Sequence, residues 1–177
     1  MFDVIVIGLG AMGTAAALEI AATGAKVLGL EQFTPGHDRG ATHGKTRMIR
    51  KAYLEGDFYI PLLERAYERW AELAGLTRDE IFNPCGVFYS APEGDPIVAN
   101  TLKSGRRYNI PVEILRPPEA SKRFPALRPI RSHVCVFEPG GGYTNPDVAL
   151  TLYRKLAAEK GAELRFDAEV TGIDLSG

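Results

Sequence analysis

The sequence lacks the features of several protein classes. Its 177 residues contain only two cysteines, with no CxxC pair, which argues against a zinc site and for a reducing compartment. Lys and Arg total 21 against 22 Asp and Glu, so there is no excess positive charge for nucleic acid or anionic lipid. Apolar runs such as residues 4–7 are far shorter than the roughly 18 residues of a membrane span. Any anion recognition must therefore be local.

The N-terminus also lacks a secretory signal. Met1-Phe2-Asp3 enters an apolar run at once, without a basic segment or a small-residue cleavage site. The sequence therefore favours the cytoplasm or an organelle lumen, such as the peroxisome of a eukaryote. With 45% hydrophobic and 24% charged residues, we expect one or two ordinary globular units, with Cys85 and Cys135 as buried core thiols.

The first 31 residues predict a βαβ unit. Residues 2–7 are apolar except for Asp3 and mostly β-branched, which is typical of a central strand buried on both faces of a parallel sheet. Helix-forming residues follow, up to a stop at Thr23-Gly24. Residues 26–31 then predict a second buried strand, which a right-handed crossover would place beside the first.

A glycine-rich turn joins the first strand to the helix. Gly8 would make the tight turn, Gly10 would let a pyrophosphate approach the backbone, and Gly13 would let the helix pack closely on the strand. Glu31, at the end of the second strand, would accept hydrogen bonds from a ribose diol and repel the 2′-phosphate of NADP. A turn of purely structural use is the plainer alternative. The predicted phosphate-binding residues are Gly8, Leu9, Gly10, Ala11, Met12 and Gly13. The pattern predicts dinucleotide binding but does not distinguish NAD from FAD.

The remaining chain predicts a discontinuous organisation. Residues 32–51 have no periodicity and carry five Lys or Arg, which indicates an ordered, anion-facing loop. We expect helices at 57–75, 96–108, 118–123 and 146–160, and strands at 86–89, 112–115, 133–137, 163–167 and 169–175. The glycines at 140–142 are interpreted as a flexible turn. Residues 1–55 and 144–177 would form one domain, and residues 56–143 an interleaved α+β unit.

The segment Gly40-Ala-Thr-His-Gly44-Lys45-Thr46 partly matches a phosphate-binding P-loop. Only three residues separate its glycines, where that motif has four, and no apolar strand precedes it. We therefore reject a P-loop.

The chain after Glu31 resembles a known family. The residues that carry the resemblance are Leu30-Glu-Gln-Phe33, Pro35, His37, Arg39-Gly40, Thr42-His43-Gly44 and Thr46-Arg47-Met-Ile-Arg50-Lys-Ala-Tyr53. They closely resemble the monomeric sarcosine oxidase family, which includes N-methyltryptophan oxidase and peroxisomal pipecolate oxidases. The resemblance covers nearly the whole chain, including Gly86-Val87 and Phe137-Glu-Pro139.

The resemblance implies an α/β fold with a Rossmann-like FAD-binding domain of the D-amino-acid-oxidase type and an interleaved substrate domain. It implies oxidation of the C–N bond of a secondary amino acid, such as a sarcosine-like N-methyl amino acid or pipecolate. Hydride would pass to flavin N5, and O2 would reoxidise the flavin to yield H2O2. The alternatives are a non-catalytic FAD-binding fragment, an FAD dehydrogenase with a non-oxygen acceptor, and an NAD-dependent dehydrogenase.

The resemblance also implies residue roles. Arg50 would pair with the substrate carboxylate, because a planar guanidinium suits bidentate geometry. Arg47 and His43 would lie by the flavin ring as catalytic residues, with His43 positioning groups rather than acting as a general base. Tyr53 and Glu55 match a mobile loop over the substrate. The other expected cofactor contacts are Gln32, Arg39, Thr42, Arg47, Met48 and Val170. A solvated basic surface loop would have a similar composition.

The family departs from this chain in length and in the loop. Ala41, Thr42 and Lys45 differ from the residues usual in relatives, so contacts to the flavin in this loop are expected to differ in detail. The family runs further, and its second half carries the flavin-linking cysteine, which neither Cys85 nor Cys135 matches. We therefore interpret the chain as an N-terminal portion that is inactive alone, and expect a C-terminal half or a second copy as its protein partner.

Overall fold

The computed structural model describes residues 1–53 and 55–174. These residues form two compact units, Met1–Thr46 with Asn145–Gly177 and Arg47–Thr144. The structure thus groups the residues after Thr46 with the second unit, whereas the sequence analysis ended the first segment at residue 55. Which unit serves the cofactor and which the substrate stays a prediction.

A parallel three-stranded sheet forms the centre of the first unit. Its strands β1 (Val4–Ile7), β2 (Val27–Leu30) and β9 (Glu163–Arg165) lie in the order β1-β2-β9. Helix α1 (Ala11–Ala22) joins β1 to β2, and α5 (Pro146–Glu159) precedes β9. The predicted βαβ unit is confirmed.

Both helices of the first unit contribute to one core. Ala17 and Ala21 of α1 pack with Ala157 of α5 and with Val27 of β2, because small side chains let the helices approach closely. Alternate side chains of β1 point to the other face of the sheet, where Ile5 and Ile7 are 56% and 54% exposed.

The prediction of a central β1 buried on both faces is therefore wrong for the part of the chain that the structure describes. There, β1 is an edge strand with one covered face. An apolar, β-branched run shows that a segment favours a strand, but the number of packed layers depends on distant elements. Strand β2, whose first three residues are buried, fits the expectation better.

The larger sheet of the second unit is antiparallel. Strands β5 (Val87–Pro92), β6 (Glu113–Leu115) and β7 (His133–Glu138) lie in the order β5-β7-β6. Helix α3 (Pro96–Arg107) contacts β5 and β7, and α4 (Pro117–Arg123) contacts β7. These elements agree with the α+β pattern predicted from the sequence.

A second small sheet contains the residues that follow residues 32–46, the part of the predicted loop that forms no helix or strand and is called the basic loop below. Strand β3 (Arg47–Ile49) pairs with β8 (Gly142–Thr144), which also pairs with β4 (Phe82–Asn83). After a short 3-10 turn at Asp57–Tyr59, helix α2 (Ile60–Ala74) begins. The prediction of loop through residue 51 is wrong at β3, because a three-residue strand is stabilised by a distant partner rather than by a local pattern.

Three further expectations need correction. Gly141 and Gly142 are buried, and a Cβ at Gly142 would lie 2.0 Å from the Asn83 carbonyl oxygen, so this is a packed crossing rather than a flexible turn. No strand forms at 169–174, the described part of the predicted last strand. Cys135 is buried as expected, but Cys85 is exposed.

Within the described ranges, no helix is long and apolar enough to span a membrane.

Candidate functional site

A cleft of about 520 Å³ lies in the first unit, where β1 and β2 end. Ligands of open parallel sheets bind at the carboxyl ends of the strands. The turn after β1, the segment after β2, one side of α5 and the residues after β9 form its walls. The predicted cofactor residues on these walls are Gly8, Leu9, Gly10, Glu31, Gln32, Arg39, Thr42 and Val170.

The glycines of the turn meet the steric demands predicted for them. Gly8 has φ +90°, a backbone conformation that favours glycine. A Cβ at Gly13 would lie 1.8 Å from the Gly8 carbonyl oxygen, so only glycine fits where the helix crosses the turn. Gly10 lines the cleft, and its missing Cβ leaves the backbone open to a ligand. Ala11 and Met12, in the first turn of α1, are exposed.

Glu31 connects the two strand ends at the cleft. Its Oε2 accepts a hydrogen bond from the Leu9 N–H at 2.8 Å, and its Oε1 accepts one from the Phe33 N–H at 3.2 Å. The residue is 7% exposed, and His37 Nε2 lies 3.5 Å from Oε1. Each carboxylate oxygen has a second lone pair, so the group can still accept hydrogen bonds from a diol in the cleft.

The basic loop contacts the start of α1 within the same unit. The Ala11 N–H donates to Thr42 Oγ1 at 3.3 Å, and Gly10 offers no side chain to cap the helix. The positive end of a helix dipole favours an anion at this position. Thr14 supports the turn from inside, because its hydroxyl donates to the Leu9 carbonyl at 2.6 Å.

One wall of the cleft was not predicted from the sequence. Asp147, Leu150, Thr151 and Arg154 line it from α5. Burial lowers the pKa of the Arg154 guanidinium, an effect that the charge of Asp147 opposes. Positions 147, 150, 151 and 154 share one helix face, and three of the four residues are polar. This spacing is a signal in the sequence, but a polar helix face that meets solvent has the same spacing.

A second group of predicted residues meets in the second unit, around Arg50. Its Nη2 donates to Glu55 Oε1 at 2.7 Å, and the side chains are 12% and 45% exposed respectively. The guanidinium carbon lies 4.9 Å from the centre of the Tyr53 ring and 5.9 Å from that of Tyr89. Arg50, Tyr53 and Glu55 are therefore brought together, with Tyr89 as a neighbour that the sequence analysis missed.

The phenols of Tyr67 and Tyr89, near this group, stay neutral at physiological pH. Burial raises the pKa of Tyr89 to about 12, although the nearby Arg50 opposes the shift. Burial also raises the pKa of Tyr67. The hydroxyls of both tyrosines and the Nε of Arg50 are buried with no hydrogen-bond partner among residues 1–53 and 55–174.

The predicted catalytic residues lie in different units. His43 belongs to the loop of the first unit, is exposed, and its Nδ1 lies 2.7 Å from the Gly40 carbonyl oxygen. Arg47 and Met48 are exposed residues of β3 in the second unit. The expected closeness of these three residues to a flavin ring stays a prediction. In the described part of the chain, no group of three or more His, Cys, Asp or Glu could hold a metal ion.

The parallel βαβ core and the cleft at its carboxyl edge define the first unit as a dinucleotide-binding α/β fold. A family model described as FAD dependent oxidoreductase matches residues 3–177. This chain belongs to that family of FAD-dependent oxidoreductases. FAD is thus its cofactor, and the D-amino-acid-oxidase type of fold predicted from the sequence is confirmed.

Two groups of curated proteins are similar in sequence to this chain. The chain is 40% identical over 170 residues to a monomeric sarcosine oxidase of Streptomyces avermitilis, covering 96% of this chain and 44% of that protein. It is 35% identical over 173 residues to an N-methyl-L-tryptophan oxidase of Yersinia pestis, covering 98% and 47%. The predicted resemblance to these two groups is confirmed. The chain spans about half the length of the curated relatives it matches.

A solved structure supports the fold. L-proline dehydrogenase from P. horikoshii superposes with a TM-score of 0.83 at 23% identity, over 97% of this chain and 46% of that one.

The cleft also fits the ADP half of FAD. A bare Gly10 backbone, a helix start without an acidic residue, and the buried Glu31 carboxylate lie along one groove.

Proposed function

We propose that the protein is an FAD-dependent oxidase of secondary amino acids, with a sarcosine-like N-methyl amino acid or pipecolate as substrate and O2 as the final oxidant. Family membership and 40% identity to a monomeric sarcosine oxidase support the reaction class. The single observation that carries the proposal is Arg50, whose guanidinium is largely withdrawn from water and pairs with one half-exposed carboxylate.

In this proposal the second unit supplies part of the substrate site. Arg50 binds the amino-acid carboxylate through two parallel hydrogen bonds. Glu55 holds the guanidinium when no substrate is bound, and a substrate carboxylate takes its place. The rings of Tyr53 and Tyr89 exclude water from Arg50, which strengthens its attraction for a negative charge. The substrate is thereby oriented by its carboxylate while its amine remains free to react.

The first unit is proposed to hold the cofactor. The residues from Gly8 to Gly13 and Glu31 would bind the ADP half, with Gln32, Arg39, Thr42 and Val170 as further contacts. FAD, when bound, supplies the two-electron acceptor that oxidises the C–N bond.

Arg47 and His43 are proposed beside the flavin ring, where positive charge stabilises added electrons, and Met48 as a further contact. The engagement of His43 Nδ1 with Gly40 favours a positioning role over that of a general base.

The test is to mix the flavin-loaded protein that carries this chain with candidate substrates without oxygen. Sarcosine, other N-methyl amino acids and pipecolate are compared with dimethylamine, a secondary amine that lacks a carboxylate. We expect the amino acids to bleach the oxidised-flavin absorbance and dimethylamine to leave it unchanged. Admission of air should then yield one H2O2 per substrate oxidised.

The alternatives give different results in the same experiment. An FAD dehydrogenase would bleach but return to the oxidised state only with an artificial acceptor. A protein that only binds FAD would not bleach with any of these substrates. Either result would contradict the proposed oxidase.

A further inference from the structure

Glu138 is a fully buried carboxylate with no role in the function proposed above. It ends β7, and none of its surface is exposed. The Lys51 N–H donates to its Oε1 at 2.7 Å, and the Ala52 N–H donates to its Oε2 at 3.0 Å. Its two partners are the backbone amides directly after Arg50.

The position of Glu138 follows from the small sheet of the second unit. The pairing of β3 with β8 ends where Ile49 meets Gly142, so the amides beyond Ile49 have left the strand ladder. Buried backbone N–H groups need acceptors, and Ala52 is fully buried. Glu138 supplies an acceptor to two consecutive amides, between Arg50 on one side and Tyr53 on the other.

A carboxylate is a costly way to satisfy two amides. Removing a charge from water is unfavourable unless hydrogen bonds and opposite charges compensate for it. Here the two N–H groups and the charges of Arg50 and Lys51 offset part of this cost, although burial still raises the pKa of Glu138. A single amide or hydroxyl oxygen in this place would avoid the desolvation of a full charge. What the carboxylate adds is two strong, charge-assisted bonds that hold the turn after Arg50 in one geometry.

We propose that Glu138 is a positioning residue for Arg50, which holds the backbone of Lys51 and Ala52 so that the guanidinium meets the substrate carboxylate in a fixed place. The inference rests on the proposed function of Arg50. Bidentate recognition requires this support, because a guanidinium displaced by a fraction of an ångström loses one of its two bonds. Glu138 touches neither the substrate nor the cofactor in this role.

The test uses the flavin-loaded protein that carries this chain, in four forms: unmodified, Glu138→Gln, Arg50→Met and the double variant. Glu113→Gln is the matched control, since Glu113 lies in the same sheet as β7 but its side chain is 41% exposed and pairs with Arg123. Four quantities are measured: the affinity for acetate from perturbation of the flavin absorbance, KM and kcat for the best substrate, and the flavin content.

We expect Glu138→Gln to weaken acetate binding and raise KM by about tenfold, with kcat within about threefold and normal flavin content. Because Glu138 acts through Arg50, its replacement in the Arg50→Met background should change acetate affinity by less than about twofold. Glu113→Gln should change none of these quantities. If Glu138 has a merely structural role, Glu138→Gln should instead lower flavin content and stability equally in both backgrounds and leave KM unchanged. That result would overturn the inference.

The two proposals fail separately. If Arg50→Met leaves acetate affinity unchanged, the role of Arg50 fails and the inference with it. If Arg50→Met weakens acetate binding while Glu138→Gln does not, only the inference is overturned.

If Glu138→Gln does not fold, hydrogen exchange of the unmodified protein decides. Saturating acetate should slow exchange at the amides of Lys51 and Ala52, and unchanged exchange there would overturn the inference.

Discussion

Each unit has a buried glutamate at the end of a strand, and its carboxylate accepts hydrogen bonds from two backbone N–H groups. Glu31 follows β2 in the first unit and lines the open cleft. Glu138 ends β7 in the second unit and is enclosed completely. Their local chemistry is alike, yet one lines an open cleft and the other is surrounded only by protein.

The difference lies in what remains free on each carboxylate. Glu31 lines a cleft and is proposed to bind a ligand directly. Glu138 is enclosed and is proposed to influence a ligand only through the residues it holds, which adjoin Arg50. In these proposals, a buried carboxylate at a strand end either recognises a ligand or positions a neighbouring residue.

The largest expected effect separates the two units by ligand. Arg50→Met should weaken the binding of carboxylate inhibitors or substrates by about 2 to 5 kcal/mol, which is the scale expected when a buried charge partner is lost. FAD affinity should be unchanged, because Arg50 is proposed to contact the substrate and not the cofactor. Acetate titration and flavin release measure the two affinities. Unchanged acetate affinity would remove Arg50 from the site.

The converse change is Gly13→Ala in the first unit. The new Cβ would lie 1.8 Å from the Gly8 carbonyl oxygen, so the turn must open at a cost of about 1 to 3 kcal/mol or more. FAD binding should fall sharply. Gly172→Ala is the control, because a Cβ there meets no atom within 4 Å. Equal flavin content in both variants would contradict the predicted packing role of Gly13.

Glu31→Gln sharpens the comparison of the two carboxylates. Replacing the charged acceptor should weaken FAD binding by about 1 to 3 kcal/mol and leave acetate affinity unchanged, the reverse of Glu138→Gln. Glu163→Gln, at an exposed residue of β9 that pairs with Arg165, is the control for loss of charge. If Glu31→Gln behaved like this control, the ribose-diol role would be wrong.

The smallest expected effect is on the pH dependence of stability. Burial raises the pKa of Glu138, although its two amides and the charges of Arg50 and Lys51 oppose the shift. A raised folded-state pKa means that the contribution to stability is present below the ordinary Glu pKa and is lost as pH rises through the folded value. The unmodified protein should therefore gain stability relative to Glu138→Gln as pH falls from neutrality.

Urea unfolding at several pH values measures this difference. Glu113 provides a control of opposite sign, because its hydrogen bond to Arg123 lowers its pKa. Relative to Glu113→Gln, the unmodified protein should lose stability as pH falls. A difference between unmodified and Glu138→Gln protein that is constant with pH would contradict a raised pKa of Glu138. Tyr67 and Tyr89, which also face Glu138, stay neutral throughout this range.

The part of the site that could be predicted is the part built from neighbouring sequence. Gly8, Gly10, Gly13 and Glu31 lie within one βαβ unit, where a strand, a helix and a second strand each follow from local composition. Of the predicted residues of the turn, Gly8, Leu9 and Gly10 line one cleft together with Glu31. Arg154 escaped prediction because a polar helix face has the same pattern whether it meets solvent or a ligand.

Residues close along the chain account for the βαβ unit, for the family resemblance and for the choice of Arg50, Tyr53 and Glu55 as substrate residues. The open face of β1, the strand β3 and the contact of Glu138 with the turn after Arg50 became evident only in the folded chain. Each of these depends on contacts between segments far apart in sequence. No local pattern reports such contacts, since their free energy arises only when the chain has folded.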